Sequence, residues 1–124
     1  MDVSRLAADV VADLRLRREP LLADVFAFIE ARYHGRISLR DVAAAMNVTP
    51  GHLTTVVRRK TGRTVHEWIA ERRMAQARRL LVESDAPVAE IGRWVGYDDP
   101  VYFARTYRRM HGATPLRWRR AGRR

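Results

Sequence analysis

Residues 103–118 read FARTYRRMHGATPLRW, and residues 53–68 read LTTVVRRKTGRTVHEW. Laid over one another at a shift of 50, Arg58 falls on Arg108, Arg59 on Arg109, Gly62 on Gly112, Thr64 on Thr114 and Trp68 on Trp118. The apolar positions agree as well, Leu53 with Phe103 and Val57 with Tyr107. Upstream the shift becomes 49: Leu39 meets Val88, Asp41 Glu90, Val42 Ile91, Ala43 Gly92, Met46 Val95 and Val48 Tyr97. Five identities in 16 positions, a tryptophan and a glycine among them, make coincidence a poor explanation. The chain carries one supersecondary unit of about 30 residues twice.

Each copy reads as helix, turn, helix. In the first, Ser38 is an N-cap with Asp41 three residues on, LRDVAAAM follows, and Asn47–Val48 makes the turn. Thr49 caps a second helix over 50–60 with Pro50 at its first position, where a missing N–H costs nothing, and Gly62 ends it. In the second, VAEIGRWV leads to the turn Gly96–Tyr97, Asp98 or Asp99 caps a helix over 100–111, and Gly112 ends that one. Between the copies, Thr64-Val-His-Glu67 is a capping box opening a helix over 65–83, with Ile69, Met74, Ala77, Leu80 and Leu81 expected as one buried stripe. At ~1.5 Å per residue that helix is a rod near 28 Å long.

Outside the copies, Pro20 starts a helix with the apolar face Leu21, Val25, Phe28 and Ile29, and Thr114-Pro115 opens a short helix containing Trp118. The first 19 residues form an amphipathic stretch with Val3, Leu6, Val10 and Leu14 on one face. No segment sustains strand alternation, so the expected fold is all-α, two helix-turn-helix subdomains joined by a long linker helix. The expected divisions are 1–19, an amphipathic segment or interdomain linker; 20–62, the first subdomain; 63–84, the linker helix; and 85–124, the second subdomain with a basic C-terminal tail.

A wheel at about 100° per residue splits each second helix into two faces. In 100–111 the core face is Phe103, Tyr107 and Met110; opposite lie Val101, Arg105 and Arg108, flanked by Tyr102 and Arg109. In 50–60 the core face is Leu53, Val56 and Val57; opposite lie Gly51, Thr55 and Arg58, flanked by His52, Thr54 and Arg59. A helix of this size fits a DNA major groove, its first half meeting base edges and later arginines meeting phosphates. On that reading Gly51, His52, Thr54, Thr55, Val101, Tyr102 and Arg105 read bases, while Arg58, Arg59, Arg108 and Arg109 hold phosphates. Arg105 can donate twice to a guanine, and Val101 can pack on a thymine methyl. Gly51 leaves the groove floor nearly uncontacted, so the second unit should read firmly and the first loosely. For Arg78 and Arg79 a solvated helix face is the expectation.

Charge supports an anionic partner. The 124 residues carry 24 Lys+Arg, all but Lys60 arginine, against 14 acids. Residues 1–48 balance seven arginines with seven acids, whereas 49–124 hold 17 basic residues and seven acids, so the whole excess of +10 lies there. The last eight residues alone contribute Arg117, Arg119, Arg120, Arg123 and Arg124. An arginine-rich chain can also reflect codon bias, so position matters more than the total. With no cysteine, disulfides, thiolate metal sites and cysteine nucleophiles are excluded. The four histidines are scattered and no complete catalytic set is present, so neither an enzyme nor a cofactor or metal is expected. Glu67 is accounted for by capping and Glu71 by pairing with nearby arginines. No apolar run approaches a membrane span and no signal peptide opens the chain, from which a soluble, cytoplasmic, nucleoid-associated protein without a membrane partner is expected.

Residues from about 20 to 119 resemble the DNA-binding domain of the AraC/XylS family of bacterial transcription regulators. The resemblance rests on SLRDVAAAMNVTPGHL, the RR-x-x-G after it, RRMAQARRLL, and VAEIGRWVGYDDPVYFARTYRRMHGATPLRWR. It implies two helix-turn-helix subdomains placing their second helices in successive major grooves of double-stranded DNA, and activation of transcription as the usual outcome. Family base-reading positions map onto Gly51, Thr54 and Thr55, and onto Val101 and Arg105. Gly51 and Thr55 replace larger residues that some members use. Relatives that transfer alkyl groups do so through cysteines, which this chain lacks. Many members also carry an effector-binding domain, which residues 1–19 are too short to be; such a domain and RNA polymerase are the further partners implied. The 1–19 stripe reads as a linker end, a dimerisation helix or packing on the body, and helix 20–34 as a second candidate docking surface. A non-specific architectural or RNA-binding protein is the competing reading, and it would show stacking aromatics on an open surface. Trp68, Trp118, Phe103 and Tyr107 fall instead in core positions, with Trp94 and Tyr102 less settled.

Overall fold

A computed structural model describes residues 3–16 and 18–123. Asp2, Arg124 and the side chain of Val3 lie outside the described residues. Those described form eight helices and no strand: α1 (Val3–Leu16), α2 (Pro20–Arg32), α3 (Leu39–Met46), α4 (Pro50–Thr61), α5 (Val65–Glu83), α6 (Val88–Trp94), α7 (Pro100–His111) and α8 (Pro115–Gly122). The expected all-helical fold is present, and local chemistry explains its boundaries. Ser38 and Asp41 form the reciprocal capping box of α3, which Asn47 ends in the left-handed region at φ 58°. Thr49 accepts from the His52 amide to start α4, and Asp99, rather than Asp98, accepts from the Val101 and Tyr102 amides to start α7.

The repeat is geometrical as well as sequential. Gly62 and Gly112 end α4 and α7 with φ of 77° and 74°, each donating to the carbonyl of an arginine, Arg58 or Arg108. Thr64 accepts from the Glu67 amide at 3.1 Å, and Thr114 from the Arg117 amide at 3.2 Å. Both tryptophans then fold back seven residues: Trp68 Nε1 donates to Thr61 Oγ1 at 2.9 Å, and Trp118 packs edge-on against His111.

The helices fall into two compact units, one running to Arg72 and the other starting at Arg73. The first core gathers Leu22, Val25 and Ile29 of α2, Val42 and Ala43 of α3, Leu53 and Val57 of α4, and Val65 and Ile69 of α5. The second gathers Met74, Ala77 and Leu81 of α5 with Ile91, Val95, Tyr97, Phe103 and Tyr107. The triplets Leu22/Val25/Ile29 and Met74/Ala77/Leu81 share one spacing at a shift of 52, so the repeated part is three helices, including a first helix that lies outside the alignment at 49–50.

Several expected faces are corrected by the packing. The single stripe expected along α5 is two short ones, because the step from Ile69 to Met74 is five residues and breaks helical spacing; Leu80 is only half-buried. On α7, Met110 is 39% exposed and Thr106 is buried in its stead. The repeat held the clue, since Met110 aligns with Lys60, an exposed residue paired with Glu19, and Thr106 with Val56, itself half-buried. On α1, Leu6 and Val10 are exposed while Ala7, Val11 and Leu14 are half-buried; the two apolar stripes share Leu14 and composition alone does not choose between them. The helix is packed on the body, with Arg15 paired to Asp24 at 2.8 Å. Because α2 is covered by both α1 and α3, it buries Leu22 and Ala23 beyond the expected face, leaving Leu21 and Phe28 half-buried and little apolar surface for a docking partner.

Two stability predictions follow from these contacts. A Cβ on Gly92 would stand 2.8 Å from Cδ2 of Phe103, a fully buried ring hemmed in by Tyr97 and Tyr107. The corresponding first-unit residues are Ala43 and the smaller Leu53, so Gly92→Ala should cost about 1–3 kcal/mol in urea denaturation, partly recovered by adding Phe103→Leu. Thr106 Oγ1 is buried with no hydrogen-bond partner. Thr106→Val, restoring the residue type of Val56, should therefore raise stability by about 1 kcal/mol in the same measurement.

Candidate nucleic-acid interface

With Leu53 and Val57 inside, the opposite side of α4 is left to solvent. Gly51, His52, Thr55, Arg58 and Arg59 are exposed and Thr54 is half-buried on the flank. A Cβ on Gly51 would meet nothing within 4 Å, so this position is open by side-chain choice and not by packing. The Thr55 hydroxyl donates back to the Gly51 carbonyl at 3.0 Å, which leaves only its lone pairs to offer a ligand. The first turn of α4 thus presents a short, nearly featureless ridge between two arginines and the capping Thr49.

The α7 face is better furnished. Val101 is 59% and Tyr102 48% exposed, and Arg105, Arg108 and Arg109 are exposed beyond them. Asp99, the acid at this end, is engaged by the amides of Val101 and Tyr102. The candidate residues therefore gather as two separate sets, one on each second helix.

These arginines combine exposure on an outward helix face with the lack of a carboxylate partner. Among the described residues, Arg58, Arg59, Arg105, Arg108 and Arg109 make no ion pair, whereas Arg15, Arg63, Arg72, Arg79 and Arg123 all do. Glu67 serves in capping and Glu71 faces Arg63, as the sequence suggested. Arg78 departs from the solvated face expected of it: half-buried, it donates to His111 Nε2 at 2.8 Å, which makes that nitrogen the acceptor and His111 Nδ1 the donor to the Tyr107 carbonyl. Arg79 pairs with Glu83 one turn along α5.

The C-terminal arginines divide as well. Arg119 donates to the carbonyls of Leu81, Ser84 and Ala86, and Arg123 to those of Val82 and Ser84 while pairing with Asp85. These two cations close the C-terminal end of α5, where carbonyls lack helical partners and the dipole favours positive charge. Arg117 and Arg120 on α8 stay exposed. Ionisation is perturbed away from the two faces: burial raises the phenols of Tyr97 and Tyr107 above the ordinary tyrosine range, opposed by Arg73 and Arg78 respectively. Among the described residues no group of three His, Cys, Asp or Glu is placed to hold a metal, and no helix is long and apolar enough to cross a membrane.

Arg119→Ala should accordingly lower stability by about 2 kcal/mol, since three buried-side carbonyl bonds go at once, while Arg120→Ala should leave it within about 0.5 kcal/mol. Thermal unfolding of the two variants side by side checks the division.

Comparison with known proteins agrees with this architecture. The family described as a helix-turn-helix domain matches residues 42–121. The arabinose operon regulatory protein of Salmonella typhimurium is 35% identical over 81 residues, covering 65% of this chain and 29% of that protein. The lactose operon transcription activator of Staphylococcus xylosus is 32% identical over 80 residues, covering 64% of this chain and 29% of that protein. Among solved structures, the DNA-binding domain of AdpA, described as a global transcriptional factor in complex with a target DNA, matches with a TM-score of 0.77 and 30% identity over 84% of this chain and 93% of that one. The chain spans 29% of the length of these two curated relatives. Both are named as regulators of transcription or of an operon, in agreement with a sequence that holds no catalytic set. A match over more than half the chain, on a framework of paired helix-turn-helix units, places it in the AraC/XylS family of helix-turn-helix domains.

Proposed function

We propose that this chain is a sequence-specific regulator of transcription that binds double-stranded DNA by laying α4 and α7 into successive major grooves. The observation that carries the proposal is the pairing pattern of the arginines: those on the outward faces of α4 and α7 are exposed and without carboxylates, while those on α5, together with Arg119 and Arg123, are engaged by the chain itself. Exposed cations held on a rigid helix and left uncompensated suit a polyanion. In this reading residues 20–62 and 85–124 are the two reading subdomains, 63–84 links them, and α1, within the 1–19 segment, packs as an addition to the first.

The roles divide by position. Arg105 forks onto a guanine, Val101 packs on a thymine methyl and Tyr102 lies along the flank; Gly51, His52, Thr54 and Thr55 read weakly, Thr55 as an acceptor. Arg58, Arg59, Arg108 and Arg109 hold phosphates. Activation is the regulatory sign we infer, from similarity to a protein named as a transcription activator. RNA polymerase and an effector-binding domain outside this chain are further partners we infer from the family resemblance, and the cytoplasm, at the nucleoid, is the place of action on the same inference.

Selection from a random duplex library at about 150 mM salt tests the proposal, with two enriched boxes about 10 base pairs apart expected and the α7 box the sharper. A single box would reduce α4 to a positioning element. No enrichment, with steeply salt-dependent binding to any duplex, would favour a non-specific architectural protein. On the selected duplex, Arg105→Ala should lower the preference over a scrambled duplex by about 5–100-fold, the worth of one bidentate base contact. Arg58→Ala and Arg108→Ala should weaken both duplexes equally and reduce the slope of log K against log salt by about one. Equal losses on the two duplexes for Arg105→Ala would overturn its assignment as a base reader.

A further inference from the structure

We infer that Tyr97 and Arg73 are positioning residues that hold Tyr102, and with it the first turn of α7, in the pose presented to DNA. The inference rests on the DNA-binding reading of α7 and adds to it two residues that make no base contact in that reading. Tyr97 lies in the turn before α7 and is only 6% exposed, whereas Tyr102 is 48% exposed. Their ring centroids are 5.9 Å apart, so Tyr102 leans on Tyr97 with its free side outward. Tyr97 is itself fixed three ways. Its ring packs on Phe103 at 5.5 Å, its amide donates to the Gly92 carbonyl at 2.9 Å, and the Arg73 guanidinium lies over its ring, 5.1 Å from the centroid.

Core packing alone does not account for this set. The first unit builds the same three helices with Val48 where Tyr97 stands, His52 where Tyr102 stands and Leu21 where Arg73 stands. A phenylalanine would fill the pocket of Tyr97 equally well, and the hydroxyl adds a polar group whose burial pushes the phenol up, opposed by the neighbouring Arg73 guanidinium. The set is therefore an addition to the unit assigned the firmer reading. A side chain already leaning on a fixed ring loses less freedom when a ligand orders it, and Arg105 stands on the next turn of the same helix.

A double-mutant cycle between Tyr97→Phe and Tyr102→Ala, on the library-selected and scrambled duplexes, tests the inference. Tyr97→Phe should weaken the selected duplex about 3–10-fold, as for a coupled neighbour pair, leave the scrambled duplex unchanged, and add no further loss in the Tyr102→Ala background. Its salt slope should match the unmutated protein, because no phosphate contact is removed. Arg73→Met should do the same; a slope lower by about one would instead make Arg73 a phosphate contact and remove it from the positioning role. Equal losses on both duplexes, or an undiminished loss in the Tyr102→Ala background, would overturn the inference while leaving DNA reading by α7 intact. Should no duplex be enriched, the functional reading fails, and amide hydrogen exchange in the free protein still decides the positioning. Faster exchange over 101–105 in Tyr97→Phe than over the rest of α7 supports it, and unchanged exchange overturns it.

Discussion

Complete burial of Leu53 in the first unit and Phe103 in the second governs everything the surface can do. A helix has one rotational freedom about its axis, and a large apolar side chain sealed inside removes it. Once Leu53 and Val57 point into one core, Gly51, Thr55 and Arg58 can only face away from it; with Phe103 and Tyr107 inside, the same holds for Val101, Arg105 and Arg108. The ends of these helices are equally constrained, by Thr49 and Asp99 at the start and by left-handed glycines at the finish. Sliding either helix by a residue would cost a cap, a glycine and a buried side chain together. The outward faces are consequently rigid, which is what a surface that reads a sequence requires.

One framework with two fillings accounts for most differences between the units. Where the first sets Ala43 with Leu53, the second sets Gly92 with Phe103, a smaller residue beside a larger one. The first opens α3 with a capping box, the second opens α6 behind Pro87 with no side-chain cap. The turn holds Val48 in one and Tyr97 in the other, and the residue just before the tryptophan is Glu67 in one and Arg117 in the other. The first unit has the fuller cap on its first short helix and keeps its outward turn bare, while the second accepts a cationic residue near a helix N-terminus and gathers aromatic side chains around the first turn of α7.

Helix boundaries were legible because they depend on neighbours in the chain: a Thr or Asp cap, a proline at the first position and a glycine at the end are local signals, and α4, α5 and α7 lie where those signals put them. Faces were less legible where two elements compete for one side chain. Composition could not tell whether α1 would use Leu6 and Val10 or Ala7 and Val11, nor that α2 would be covered from two sides, since each outcome depends on a partner distant in sequence. Met110 is a different case. Helical spacing points this apolar residue to the core, whereas its alignment with Lys60 points it to solvent, where it lies. Of the candidate site, the exposure of both outward faces was readable from the wheel; the back-bonded hydroxyl of Thr55 and the contact of Tyr102 with Tyr97 were not, because each depends on side-chain geometry.

The same reasoning qualifies what a large positive charge means. An excess of +10 invites the conclusion that the whole C-terminal portion is a nucleic-acid surface. Yet Arg119 and Arg123 satisfy carbonyls at the end of α5, Arg72 grips Glu30 and lies over Tyr33, Arg73 lies over Tyr97, and Arg78 is tied to His111. Each such arginine works as a planar, multi-donor connector, a use that explains why arginine and not lysine dominates this chain. Subtracting them leaves, in the C-terminal portion, the charge of the α4 and α7 faces, Arg93 on α6 and the outer side of α8. Counterion release depends on the phosphates neutralised, not on formal charge, so in the DNA-binding reading proposed above the salt dependence follows the uncompensated arginines and not the total of +10.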